Sequence, residues 1–267
     1  MNLHEYPEVL TEEEEPVAVD EHELHMWSPL EMNIGAGYDY LGDSLFYRVL
    51  YALLKPIALG VFAILNPLLF GFQFQGRENI QRLRGRGAVS ICNHIHALDC
   101  TMLGMAFFDR RLYFVTLQSN FEIPLIRHLV KALGGIPIPR SFRKMPAFSD
   151  AVGEAVRRGQ IVQIYPEGVL RFYYPGIRRF KNGAFAYAYD NNVPLLPSVI
   201  TYAQPTGLHR LFKRKPCLRL TVLPPVYPDV SRPKRDEIAR LRAVCTRQMT
   251  DFYRRNSLDP DTFRRPI

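Results

Sequence analysis

The sequence predicts an α/β fold: a mixed, substantially parallel sheet flanked by helices, preceded by an apolar membrane-associating helical segment. Three observations predict it. Five apolar runs of strand length alternate with helical patterns of about ten residues or more, the spacing of strand–helix–strand units. A run of nineteen residues without a charged side chain, 56–74, stands ahead of them. The chain has 267 residues and is 47% hydrophobic, enough for one large core but not comfortably two.

Residues 1–44 hold twelve Asp or Glu and no Lys or Arg, and "TEEEEP" repels itself, so this segment reads as an acidic, poorly ordered tail. Residues 45–74 read as the membrane-associating helical segment. Its charge-free run approaches the roughly 20 residues of a membrane-spanning helix. Yet Pro56 and Pro67 interrupt it and Asn66 sits inside it. Two shorter helices in one leaflet are expected rather than one clean span. Residues 75–267 read as the α/β domain itself. Its strands are expected at 87–92, 112–116, 161–165, 195–201 and 217–223. Its helices are expected at 98–108, 124–133, 146–158, 181–191 and 233–256, the last opening at Pro233.

The charge is divided along the chain. With all 34 basic residues but only 14 of the 26 acidic ones, residues 45–267 carry a net +20. Such a body seeks anions: a membrane face, a phosphorylated molecule or nucleic acid. A nucleic-acid binder has no use for the apolar run at 56–74, so that class is set aside as a remote alternative. Cys92, Cys100, Cys217 and Cys245 form no C-x-x-C pair, so neither a zinc site nor a redox motif is signalled. Scattered cysteines fit a reducing compartment. The expectation is a membrane-associated protein whose active site faces the cytoplasm.

Four stretches carry candidate chemistry. "ICNHIHALDC", residues 91–100, places His94, His96 and Asp99 where a strand gives way to a helix, the edge on which α/β sheets build their sites. His96 and Asp99 are three apart and can touch on a helix. His94 and Asp99 are five apart and can meet only if His94 lies in the loop before it. Local geometry leaves both pairings open. "GGIPIPRS", 134–141, delivers Arg140 to a loop, with Arg143 and Lys144 following; a guanidinium fork suits a phosphate. "YPEGVLRF", 165–172, sets Glu167 in a turn, able to bind a hydroxyl, orient an arginine or stay solvated. "RRFKNGAFAYA" brings Arg178, Arg179 and Lys181 ahead of a helix start, where anions are favoured.

In order and spacing, Asn-His-x-x-x-x-Asp, Gly-x-Ile-x-Ile-x-Arg, aromatic-Pro-Glu-Gly, Phe-Lys-x-Gly and Val-Pro-Leu-Leu-Pro resemble the glycerolipid acyltransferase family over roughly residues 70–225. The resemblance implies His94 and Asp99 as the catalytic pair, with His96 structural. It implies Arg140 as a phosphate contact, and Glu167, Gly168 and Arg171 as part of the acceptor-binding element. It implies acyl transfer from acyl-CoA or acyl-carrier protein to a lysophospholipid in the membrane, first of all 1-acylglycerol-3-phosphate, with no metal and no cofactor. Three departures bear on the acceptor. Pro-Glu-Gly is followed by Val169-Leu170-Arg171 instead of Thr-Arg. The relatives' Ala-Lys-x-Glu-Leu is replaced by Thr116-Leu117-Gln118-Ser119-Asn120. Pro139 precedes Arg140 where relatives often have an acidic or polar residue. They keep another lysolipid, such as a lyso-ornithine lipid or a lysophosphocholine, as the alternative acceptor.

Overall fold

The computed structural model describes Ile34, residues 37–122 and residues 126–260. Most of the expected acidic tail therefore lies outside the described residues. Where the chain is described it is docked: Ile34, Tyr40 and Leu41 are buried in the main core, and Asp43 pairs with Arg158 at 2.7 Å. Residues 37–44 are thus an ordered strap on the body.

In chain order the elements are α1 (Leu45–Phe70), β1 (Gln73–Gln75), α2 (Arg77–Gln81), β2 (Ala88–Cys92), α3 (Asp99–Ala106), β3 (Leu112–Leu117), α4 (Ile126–Ala132), β4 (Gly135–Ile138), α5 (Met145–Arg157), β5 (Ile161–Ile164), α6 (Gly183–Asp190), β6 (Leu195–Ala203), α7 (His209–Phe212), β7 (Cys217–Val222) and α8 (Lys234–Asn256). The seven strands form one sheet in the order β1-β7-β6-β2-β5-β3-β4. Every neighbouring pair is parallel except β6 and β7. β2 is buried along its whole length, which suits its uninterrupted apolar sequence AVSIC to a parallel sheet covered on both faces. α5, α6 and α8 pack together against β5, β2 and β6. α8 buries Leu241, Cys245, Met249 and Tyr253, one residue every four, with acids in its first turn and arginines in its last.

The apolar segment departs from expectation. It is one continuous helix of 26 residues with both prolines inside it. An interior proline costs a helix about 3 kcal/mol through the missing N–H and its ring clash. Contacts with the body along the helix offset that cost. Tyr47 meets His128, Lys55 donates to the Arg110 carbonyl, and Asn66 accepts from Thr101 at 2.9 Å. Phe70 packs edge-on against His96. From Tyr47 to Phe70 these contacts span roughly 35 Å of helix. The outer stripe of Phe46, Val49, Leu53, Ile57, Val61, Ile64 and Leu68 remains exposed. The helix is long and apolar enough to cross a membrane, but it lies lengthwise on the domain. It stops at Gly71, whose left-handed backbone caps the last turn. The sheet then starts at once with β1, inside the stretch assigned from its lack of charge to the membrane.

Candidate active site

The parallel register decides what meets at the carboxyl edge. Ile91 of β2 lies opposite Ile164 of β5, so the residues three positions on, His94 and Glu167, emerge side by side. Asn93 pins the first loop: its amide donates to the Ile200 carbonyl at 3.0 Å and accepts from the Ile200 amide at 2.8 Å. It takes the place of a strand residue beside β6 and leaves His94 in the loop before α3.

That loop placement resolves the pairing. His94 Nδ1 lies 3.0 Å from Asp99 Oδ2, and the same oxygen accepts the backbone amides of Ile95 at 2.8 Å and His96 at 3.0 Å. Asp99 is fully buried in the first turn of α3. The His94 side chain is 22% exposed. Its ring stacks on Tyr165 with centroids 3.9 Å apart and planes 14° from parallel. Burial pushes the Tyr165 hydroxyl well above the usual tyrosine range, so the platform is a neutral phenol. The Tyr165 hydroxyl and Asp99 Oδ1 are both buried without a hydrogen-bond partner among the described residues.

His96 is used differently. Its Nδ1 accepts the Leu98 amide at 3.1 Å, and Phe70, Phe172 and Tyr173 surround its ring edge-on. Burial lowers its pKa, which keeps it neutral. It touches Asp99 through its backbone, and its ring braces α1 against the loop.

Glu167 is held inside the protein. Its side chain is 1% exposed and accepts Arg178 Nε at 3.0 Å, Arg178 Nη2 at 2.6 Å, and the Arg178 and His94 backbone amides. Of the roles open to it in the sequence, orienting an arginine is the one realised. Through the His94 amide it also braces the His94 loop. Arg178 is likewise consumed by this ion pair and by the Val169 carbonyl, so it is no free anion site. Gly168 turns the chain with φ +79°, and a side chain there would press on Lys181. Arg171 is exposed, and its backbone amide donates to the His94 carbonyl at 3.2 Å, which places it next to the catalytic loop.

Arg140 follows β4, three strand spacings or roughly 14 Å along the edge from β2. Its side chain is 67% exposed and its guanidinium pairs with Glu122 at 3.0 Å, while its backbone amide donates to Gln118. Leu117, at the position of the relatives' lysine, is 60% exposed. Arg143 is exposed in the short turn that follows Arg140. Tyr165 was visible as the aromatic of its motif, but not as the platform for His94. Glu122 escaped the sequence reading, because its partner Arg140 lies eighteen residues away.

Residues 71–201, which hold His94, Asp99, Arg140, Glu167 and Arg171, match the family whose description is Acyltransferase. The chain resembles that family over just under half of its length. It is 28% identical over 188 residues, 69% of this chain and 74% of the relative, to the 1-acyl-sn-glycerol-3-phosphate acyltransferase of Escherichia coli. It is 29% identical over 167 residues, 60% of each chain, to a Caenorhabditis elegans protein named for the same activity. The crystal structure of PlsC, the 1-acyl-sn-glycerophosphate acyltransferase of Thermotoga maritima, superposes with a TM-score of 0.50 at 18% identity. The match covers 78% of this chain and 95% of that one. It shows the shared α/β fold.

Proposed function

We propose that this acyltransferase moves an acyl chain from a thioester, acyl-CoA or acyl-carrier protein, to the free hydroxyl of a lysophospholipid. The first candidate is 1-acyl-sn-glycerol-3-phosphate, which gives phosphatidic acid. The observation that carries the reading is the His94–Asp99 pair at the open edge of the sheet. With Nδ1–H donated to Asp99, Nε2 is the basic nitrogen. It takes the acceptor's hydroxyl proton as that oxygen bonds to the thioester carbonyl carbon. The tetrahedral adduct then breaks its C–S bond, and the imidazolium returns the proton to the leaving thiolate. Asp99 holds the tautomer and stabilises the imidazolium. Burial pushes the Cys100 thiol up to about 11, so no thiolate competes with the acceptor as nucleophile. Arg140 and Arg171 would meet the acceptor's phosphate from either end of the site. The relatives' names support this choice of acceptor.

The setting we propose is one membrane leaflet. Helix α1 lies flat on the domain, so its exposed stripe enters the acyl region in the membrane plane. The +20 body then faces anionic headgroups, and the site faces the cytoplasm. The acceptor reaches His94 sideways without drawing its chain through water.

The experiment is an acyl-transfer assay on a panel of lysolipids, read by lipid mass spectrometry. Phosphatidic acid as the leading product, abolished by His94→Ala, is expected. A second reading has its own support. Leu117 stands where relatives place lysine, and Glu122 offsets the charge of Arg140, which leaves less positive charge for a dianionic head group. Preference for a lyso-ornithine lipid or lysophosphocholine in the same panel replaces the first acceptor with this one.

A further inference from the structure

We propose that the connection between β6 and β7 is a second lipid-contacting element, which seats the catalytic edge on an anionic bilayer surface beside α1. This rests on the membrane reading given above. β6 runs parallel to β2 with Ser198 opposite Cys92, and it continues five residues further to Ala203. At about 3.3 Å per residue that is roughly 16 Å beyond the end of β2. The connection 204–216 therefore stands out past the edge on which His94 sits.

Its tip is α7. Leu208 is 75% exposed, Leu211 82% and Phe212 57%. Three large apolar side chains within five residues, all turned to solvent, form a patch of the kind that marks an interaction site. Around them, residues 205–215 hold Arg210, Lys213, Arg214 and Lys215 and no acidic residue. Apolar side chains between basic ones suit the boundary between acyl chains and anionic headgroups.

The tip is also fastened to α1. His209 Nε2 lies 2.7 Å from the Pro67 carbonyl, and Lys213 Nζ 2.6 Å from that of Leu69. Lys215 sits over the Tyr173 ring, 4.8 Å from its centroid, and that ring adjoins His96. Leu68 and Leu69 of α1, Phe172 beside His96, and the α7 tip are all exposed. The apolar face of α1 thus continues onto the connection across the catalytic edge. A bilayer covering both would bring its acceptor molecules directly to His94.

The test places single tryptophans in the full chain, Leu211→Trp on the connection and Ile64→Trp on α1, with the Trp27 signal of the unmodified protein subtracted. Quenching is read in vesicles of phosphatidylglycerol and brominated phosphatidylcholine. Both probes are expected to be quenched. Arg210→Glu combined with Arg214→Glu is expected to weaken vesicle binding by roughly tenfold or more. The same pair lowers turnover on a long-chain acceptor in vesicles and leaves turnover on a short-chain dispersed acceptor unchanged. If the probe at 64 is quenched and the probe at 211 is not, the connection is overturned and the membrane reading stands. If neither is quenched, both fall. If the double variant raises only the KM for acyl-carrier protein and leaves vesicle binding intact, the patch docks a protein and the proposal is wrong.

Discussion

Asp99 and Glu122 are both buried carboxylates that hold a neighbouring side chain, and the groups they hold differ in exposure. Asp99 takes His94 and two backbone amides on one oxygen, and the His94 side chain is 22% exposed. Glu122 pairs with Arg140, whose side chain is 67% exposed. An arrangement that must repeat one proton transfer gains from being rigid and dry, because a misplaced base loses its rate advantage. A group that must receive a head group gains from being reachable, at the cost of screening by water and salt. Under the proposed function the carboxyl edge separates those tasks, with chemistry at β2 in the middle of the sheet and recognition at β4 on its rim.

The comparison breaks most directly at His94. His94→Ala is expected to lower kcat by about 10²–10⁴-fold with an unchanged circular dichroism spectrum, whereas His96→Ala retains most turnover. A dead His96→Ala alongside an active His94→Ala would reverse the assignment of the pair. Next in size is Glu167→Ala. Removing one partner of a buried ion pair leaves Arg178 unpaired and costs roughly 3–5 kcal/mol, read as a fall in the urea midpoint with activity lost alongside it. A midpoint equal to that of the unmodified protein would mean that Glu167 faces substrate after all.

At the rim the expected effects are smaller and separate by kinetic constant. Arg140→Ala is expected to raise the lysolipid KM by roughly tenfold to a hundredfold, the loss of one hydrogen bond to a charged group at about 1.5–3 kcal/mol. Arg140→Lys gives a smaller rise, and the donor KM is unchanged in both. A change confined to the donor would move Arg140 to the CoA phosphates. The smallest effect concerns His96. Its folded pKa is lowered, so the unfolded chain binds its proton first as pH falls. The contribution of neutral His96 is complete above the unfolded value near 6.5 and is lost as pH falls through the lowered folded value. His96→Phe should therefore flatten the acid limb of stability against pH. An identical acid limb would show that the ring is not kept neutral by its surroundings.

The strands at 88–92, 161–164 and 195–203 and the long helix at the end were legible because period and punctuation are local properties. The Asn-His-x-x-x-x-Asp motif and the Pro-Glu-Gly turn were legible for the same reason: strand ends and turns are written in neighbouring residues. The sequence also carried the charge division and the length of the apolar segment. It did not carry neighbour relations in the sheet. That β5 lies beside β2, with Ile164 opposite Ile91, makes Tyr165 the platform for His94 and Glu167 its brace. These partners are more than seventy residues apart, so no window of sequence joins them. The pairing of Arg140 with Glu122 and the continuity of α1 through two prolines were likewise decided by packing. A charged or strained group takes whatever partner the folded body presents, and that partner exists only once distant segments have been brought together.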